Sequence, residues 1–244
     1  MNCLNSMYAL LKITKYQQSI VIPLSLVFSS FLVYLLSTPL VFTVHELNIP
    51  NLSIQVMYIL NFSLEITFNA LCFSTAMVFR DIRLQMKDKA VGDVTKEGIL
   101  RLVHTQWMAY QQVDLVTQAF SPHLFNYITV GMSVIMYVNI YFRKMIKHVS
   151  LYMPLLLGTW SMSLMCYCSH LIDTEADKLL LEIQGLIYKN TSPKVHQLLV
   201  VMMEQVRIRK LHVSVQDCFK LHLPLLLSLA NIFVTFMVVL LGFT

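Results

Sequence analysis

Five stretches, at roughly 19–44, 54–79, 123–142, 150–172 and 221–243, are predominantly apolar and about 20 residues or longer, enough for a helix to cross a hydrocarbon core about 30 Å thick. None of the 18 lysines and arginines lies inside them, and of the 13 acids only Glu65 does. Because backbone groups in hydrocarbon must pair within their own segment, each stretch is expected to be helical. Composition agrees, since 13% of the residues are charged against about 25% in a soluble domain. The expected fold class is an all-α integral membrane protein with about five transmembrane helices, built as one membrane domain over 1–244. The first apolar run is too long for a signal-peptide core and has no small-residue cleavage site, so it reads as a retained start-transfer segment.

Charge placement sets the orientation. Two basic residues precede the first span, six follow the second and seven lie between the fourth and fifth, so these regions share the cytoplasmic side. Arg143, Lys144 and Lys147, between the third and fourth spans, go against that assignment. The N-terminus is then inside and the C-terminus outside. Two cytoplasmic regions carry helical patterns of their own. Over 80–120, Ile99, Leu102, Val103, Gln106, Tyr110, Val113 and Val116 share a face, and the second span is expected to continue as a long helix into this region. Over 174–219, Ala176, Leu179, Leu180, Ile183, Leu186 and Ile187 form one face, and Val195, Leu198, Leu199, Met202 and Val206 another. The break at 190–193 ends on Pro193, which suits the first turn of a new helix. Such amphipathic helices need a partner surface, and a neighbouring copy of the chain is the expected one.

Other function classes find little support. The five cysteines form no CxxC pair and the eight histidines show no metal-ligand spacing, so neither a metal nor a cofactor is expected. There is no HExxH, GxSxG, P-loop or Rossmann pattern, which argues against an enzyme. The net charge of +5 comes from residues between apolar spans, so no nucleic-acid partner is expected; membrane lipid is.

The C-terminal run Thr235, Phe236, then five hydrophobic residues, Gly242 and Phe243 resembles the signature of insect gustatory receptors, Thr-Tyr, five hydrophobic residues and Gln-Phe. Phe236 and Gly242 are the two departures. Upstream, "EADKLLLEIQGLIYKN" and "VHQLLVVMMEQVRIRKLHVSV" are similar to that family's cytoplasmic anchor helices, and "LRLVHTQWMAYQQVDLVTQAFSPHLF" to the segment joining its fourth and fifth helices. The resemblance implies a plasma-membrane chemosensory receptor subunit, a ligand-gated cation channel of the seven-helix class related to insect odorant receptors. It further implies a homo- or hetero-tetramer with related subunits, a small-molecule tastant, and a pore lined by the last helix. This chain matches the family's third to seventh helices.

Residue patterns then suggest sites. In the last span Ser228, Asn231, Thr235, Val238 and Gly242 recur at helical spacing, and with the resemblance they read as pore-lining, with Val238 and Val239 as a narrow apolar ring. The other reading is helix–helix hydrogen bonding in an ordinary bundle. In the second span Tyr58, Asn61, Glu65, Asn69 and Cys72 form a stripe expected to face the bundle interior, lining a ligand cavity or serving packing. Weaker stripes, Asn126, Thr129, Ser133 and Tyr137, and Thr159, Ser163, Tyr167 and His170, suit a pocket wall or interhelical bonding. Trp107 and Trp160 read as packing residues. A non-conducting subunit that modulates full-length receptors, or a different multi-pass receptor or transporter, are the alternative functions.

Overall fold

Runs of helical periodicity become long helices sharing one core in a computed structural model that describes residues 49–89, 96–145, 152–188, 192–209 and 211–242. Helix α1 is Ile49–Lys89, α2 Lys96–Met145, α3 Tyr152–Ile187 and α4 Pro193–Ile208. Two-residue strands β1, Ser214–Val215, and β2, Phe219–Lys220, precede α5, Leu223–Gly242. With 41, 50 and 36 residues, α1, α2 and α3 are each much longer than a membrane crossing requires. At about 1.5 Å per residue they reach roughly 60, 75 and 54 Å, against about 30 Å for a hydrocarbon core.

Local chemistry sets several ends. Glu97 lies in the first turn of α2, where a carboxylate complements the helix dipole. Pro193 occupies the start of α4, where its missing N–H costs no intrahelical bond, and the Ser192 carbonyl accepts from the His196 N–H at 2.9 Å. Pro122 falls inside α2 and removes one backbone bond there.

Side-chain pairs give the helix directions. Phe68 of α1 meets Phe120 of α2 edge to face at 5.5 Å, and Phe79 meets Tyr110 at 5.7 Å, so the two helices are antiparallel. Glu65 pairs with Ser161 and Arg83 with Glu175, so α1 and α3 run parallel. The shared core includes Phe68, Phe79, Ile82 and Met86 from α1, with Ile99, Tyr110 and Leu124 from α2. Met165, Ile172, Leu179 and Ile183 complete it from α3, and Leu199 and Met202 from α4. Most of the apolar face read from the sequence in each of α2, α3 and α4 is buried here, with Val103, Leu180, Ile187 and Leu198 partly buried against the core.

One expectation is corrected. The 80–120 region is not a single continuation of the second span: α1 ends at Lys89, and a separate helix beginning at Lys96 runs unbroken through the third span to Met145. The intervening sequence holds Gly92, Asp93 and Thr95, a breaker succeeded by residues that favour helix starts. Among the described residues, Leu60–Lys87 is the one stretch long and apolar enough to cross a membrane, and Leu223–Ile232 is a shorter apolar run. The first expected span, 19–44, lies outside the described residues.

Candidate functional site

Glu65 is the one acid in any expected span, and α1 turns it inward, 6% exposed, against α3. The Ser161 hydroxyl donates to its Oε2, and the Tyr127 hydroxyl, which donates to the Gly158 carbonyl at 3.3 Å, is also within reach of the carboxyl. The ion pairs found among the described residues lie elsewhere, so hydroxyls hold this group. One helical turn further, Asn69 is buried with its Oδ1 lacking a protein hydrogen-bond partner, and Cys72 is buried below it. Asn61 is half-buried above, and the Tyr58 side chain lies outside the described residues. The arrangement is a column of polar groups inside an apolar bundle, able to accept hydrogen bonds from an amine or a polyol.

The two weaker stripes do not join this column. Asn126, Thr129, Thr159 and Tyr167 are exposed, and Ser163, whose hydroxyl bonds its own helix at the Thr159 carbonyl at 2.7 Å, is half-buried. The side chains of Ser133 and Tyr137 lie outside the described residues. Helix α3 instead turns Met162, Met165, Cys166 and Ser169 to the core. A polar stripe in an apolar helix does not by itself tell interior from exterior, because both surroundings are apolar. Ser161 and Tyr127, the actual partners of Glu65, belong to neither stripe. Trp160 is 59% exposed and so does not pack within this chain, which corrects the packing reading. Trp107 is stacked under the Arg209 guanidinium, 4.3 Å from its ring centroid, at the contact between α2 and α4. Tyr110, beneath the same guanidinium at 6.0 Å, has its phenol pushed up to about 12 by burial, against the opposing effects of the Gln106 hydrogen bond and Arg209.

Helix α5 is held differently. Leu225, Leu226 and Leu229 rest partly on the core, but every later side chain that is described, from Ala230 to Val239, is exposed. Asn231 and Thr235 are among them, with Val238 64% exposed and Val239 beside it, while Ser228 bonds back to the Pro224 carbonyl at 3.2 Å. The side chain of Phe236 and the whole of Phe243 lie outside the described residues, as does any contact of Gly242. The spacing that places Ser228, Asn231, Thr235 and Val238 on one side of α5 therefore remains, and each of these described side chains is exposed.

A hairpin that no turn signal in the sequence announces joins α4 to α5. Ser214 pairs with Lys220 and Val215 with Phe219, closed by a turn in which Gln216 and Asp217 have φ of 46° and 55°. The Ser214 hydroxyl donates to Asp217 Oδ1 at 3.0 Å, and the Gln216 N–H donates to the Ser121 hydroxyl of α2. Beside β2, Asp173 of α3 has its carboxyl pushed up to about 7 by burial and by the nearby Asp177 charge, with Lys220 pulling the other way.

No family model and no curated protein matches the chain. Among solved structures it is similar to the insect olfactory receptor OR5 from Machilis hrabei, with a TM-score of 0.69 at 14% identity, over 99% of this chain and 69% of that one. At that identity the likeness is one of fold: the helical architecture is similar to that of this insect olfactory receptor.

Proposed function

We propose that the chain is a chemosensory receptor subunit of the gustatory type, a ligand-gated cation channel in the plasma membrane whose last helix lines the pore of a tetramer. The observation that carries this reading is α5: a 20-residue apolar helix with Ser228, Asn231, Thr235 and Val238 on one side, all of them exposed. In hydrocarbon, Asn231 and Thr235 need a partner or water, and a wet central pore between copies provides it. The fold shared with an insect olfactory receptor and the Thr235 to Phe243 signature both support it.

A tastant with hydrogen-bond donors would enter among the outer halves of α1, α2 and α3 and engage Glu65, with Asn61 and Asn69 as further contacts. Its binding would move α5 and widen an apolar ring at Val238, which gates by dewetting. Val238→Ala is expected to raise the resting cation current in cells expressing the chain, with surface expression unchanged. A surface-expressed variant with the current and cation preference of the parent would remove Val238 from the pore. A second reading, a non-conducting subunit that modulates related receptors, predicts no current alone and altered currents on co-expression.

A further inference from the structure

We propose that the 211–222 hairpin is a strap that couples α2 to α5, with Ser121 as the positioning residue on which it is fastened. Three independent features of the segment lead there.

The first is its conformation. Gln216 and Asp217 both sit in the left-handed region, which a long side chain such as that of Gln adopts at a cost. Consecutive residues hold it only where the surroundings over-determine it. Those surroundings are visible: Val213, Val215 and Leu221 are fully buried, the Leu221 N–H donates to the Val213 carbonyl at 2.9 Å, and the Cys218 N–H donates to the Val215 carbonyl at 3.0 Å.

The second is where the strap is fastened. The Ser121 hydroxyl that accepts the Gln216 N–H lies immediately before Pro122, where α2 lacks a backbone bond and bends most easily. On its other strand the Lys220 charge favours the ionised form of Asp173 of α3. The hairpin is therefore fastened to α2 at the level where α2 is softest.

The third is the element it leads into. Helix α5 begins at Leu223, immediately after the buried Leu221 and the half-buried His222; Leu225, Leu226 and Leu229 rest partly on the core, and the side chains described after Leu229 are exposed. A displacement of α2 at Pro122 reaches the start of α5 through the strap. Ligand-driven movement of the outer half of α2, which carries Tyr127, has a mechanical route to the last helix; this function for the strap rests on the channel reading, whereas its fastening does not.

The test uses the whole chain in lipid nanodiscs, read by amide hydrogen exchange, together with resting cation current in cells. Ser121→Ala is expected to speed exchange of peptides covering 211–222 and the adjoining turns of α5 by about 2- to 10-fold, the effect of losing one hydrogen bond. Ser121→Thr, which keeps the hydroxyl, should restore it. Ser214→Ala, at a half-exposed position that folding tolerates, loosens the same turn from its other side and should act in the same direction. In cells the two alanine variants should shift the resting current while Ser121→Thr does not. Faster exchange confined to the hairpin, with α5 unchanged, would overturn the coupling, as would unchanged exchange throughout. Exchange that spreads into α5 without current in any variant or in the parent would uphold the strap and refute the channel reading.

Discussion

The packed part of the chain and its last helix are both apolar, yet they treat that apolarity oppositely. In α2, α3 and α4 an apolar face is buried, Ile99 to Val116 and Val195 to Val206 against the rest of the bundle, while single apolar residues such as Leu100, Leu181 and Val201 stay exposed. In α5 the apolar residues run all round, and those described beyond Leu229 are uncovered. Folding of a single copy accounts for the first pattern, and the proposed channel assigns the second to lipid and neighbouring copies. The stability of this chain and the placement of its last helix are therefore separable properties, and substitutions should split them.

The largest effect is expected inside the bundle. Phe79 is fully buried and meets Tyr110 edge to face, so Phe79→Ala should destabilise the solubilised protein by about 3–5 kcal/mol in thermal or denaturant unfolding. A loss below about 1 kcal/mol would mean the α1–α2 contact is not part of the core.

Next is the ion-pair cluster that ties α1 to α3. Glu175 accepts from Arg83 at 3.0 Å and from Lys178 at 2.8 Å, and its side chain is mostly buried. Removing the carboxylate by Glu175→Ala leaves Arg83 without its partner, at a cost of about 1–3 kcal/mol. Lys178→Ala touches the more exposed of the two bonds and should cost under about 0.5 kcal/mol, so comparing the two unfolding midpoints isolates the α1–α3 contribution.

A smaller, pH-dependent effect belongs to Asp173, whose carboxyl is pushed up to about 7 from 3.8 by burial and the Asp177 charge. Because the folded value is raised, protonation favours the folded state. The contribution is fully present below about pH 4 and is lost as pH rises through about 7. The groups that bear on it are Asp177 on its own helix and Lys220 on β2; Arg83, from α1, is engaged by Glu175. Asp173→Asn should therefore raise the melting temperature at pH 8 and leave it nearly unchanged at pH 4. Equal gains at both pH values would show that the carboxyl titrates in the ordinary range.

The smallest effect on folding is expected in α5. Ile232→Ala and Val234→Ala remove exposed side chains, so they should change the unfolding of the separated chain by less than about 0.5 kcal/mol. The same substitutions should weaken assembly, measured by native mass spectrometry or light scattering in detergent. An effect on folding as large as that of Phe79→Ala would erase the distinction between the two regions.

How much of this is legible in the sequence depends on the length of the signal. Helical periodicity sustained over about three turns or more marks the buried faces of α2, α3 and α4, because one face of a long helix must meet the core. The α1–α2 boundary escapes such a reading because the apolar spacing resumes after Gly92 and Asp93 as though uninterrupted. The hairpin is invisible to it: the strands are two residues each, and Gln216-Asp217 is not the Asn-Gly type of pair that announces a tight turn. Within α1, spacing places Glu65, Asn69 and Cys72 on an interior face, and they are buried. Within α3 the same logic picks Thr159 and Tyr167, which face outward, while Ser161, two residues beyond Thr159, holds Glu65. Side-chain polarity separates buried from exposed only where one side of the helix is water.

The most direct measurement is a cysteine-accessibility scan from Ser228 to Gly242 in membranes of cells expressing the chain, with exposed Cys218 changed to Ser and a membrane-impermeant thiol reagent as the probe. If α5 lines a water-filled pore, cysteines at Ser228, Asn231, Thr235, Val238 and Gly242 should react and those at Leu229, Ile232 and Phe236 should not, giving a helical period. Uniform silence along α5, or reaction without period, would contradict the pore and leave α5 as an ordinary lipid-facing helix.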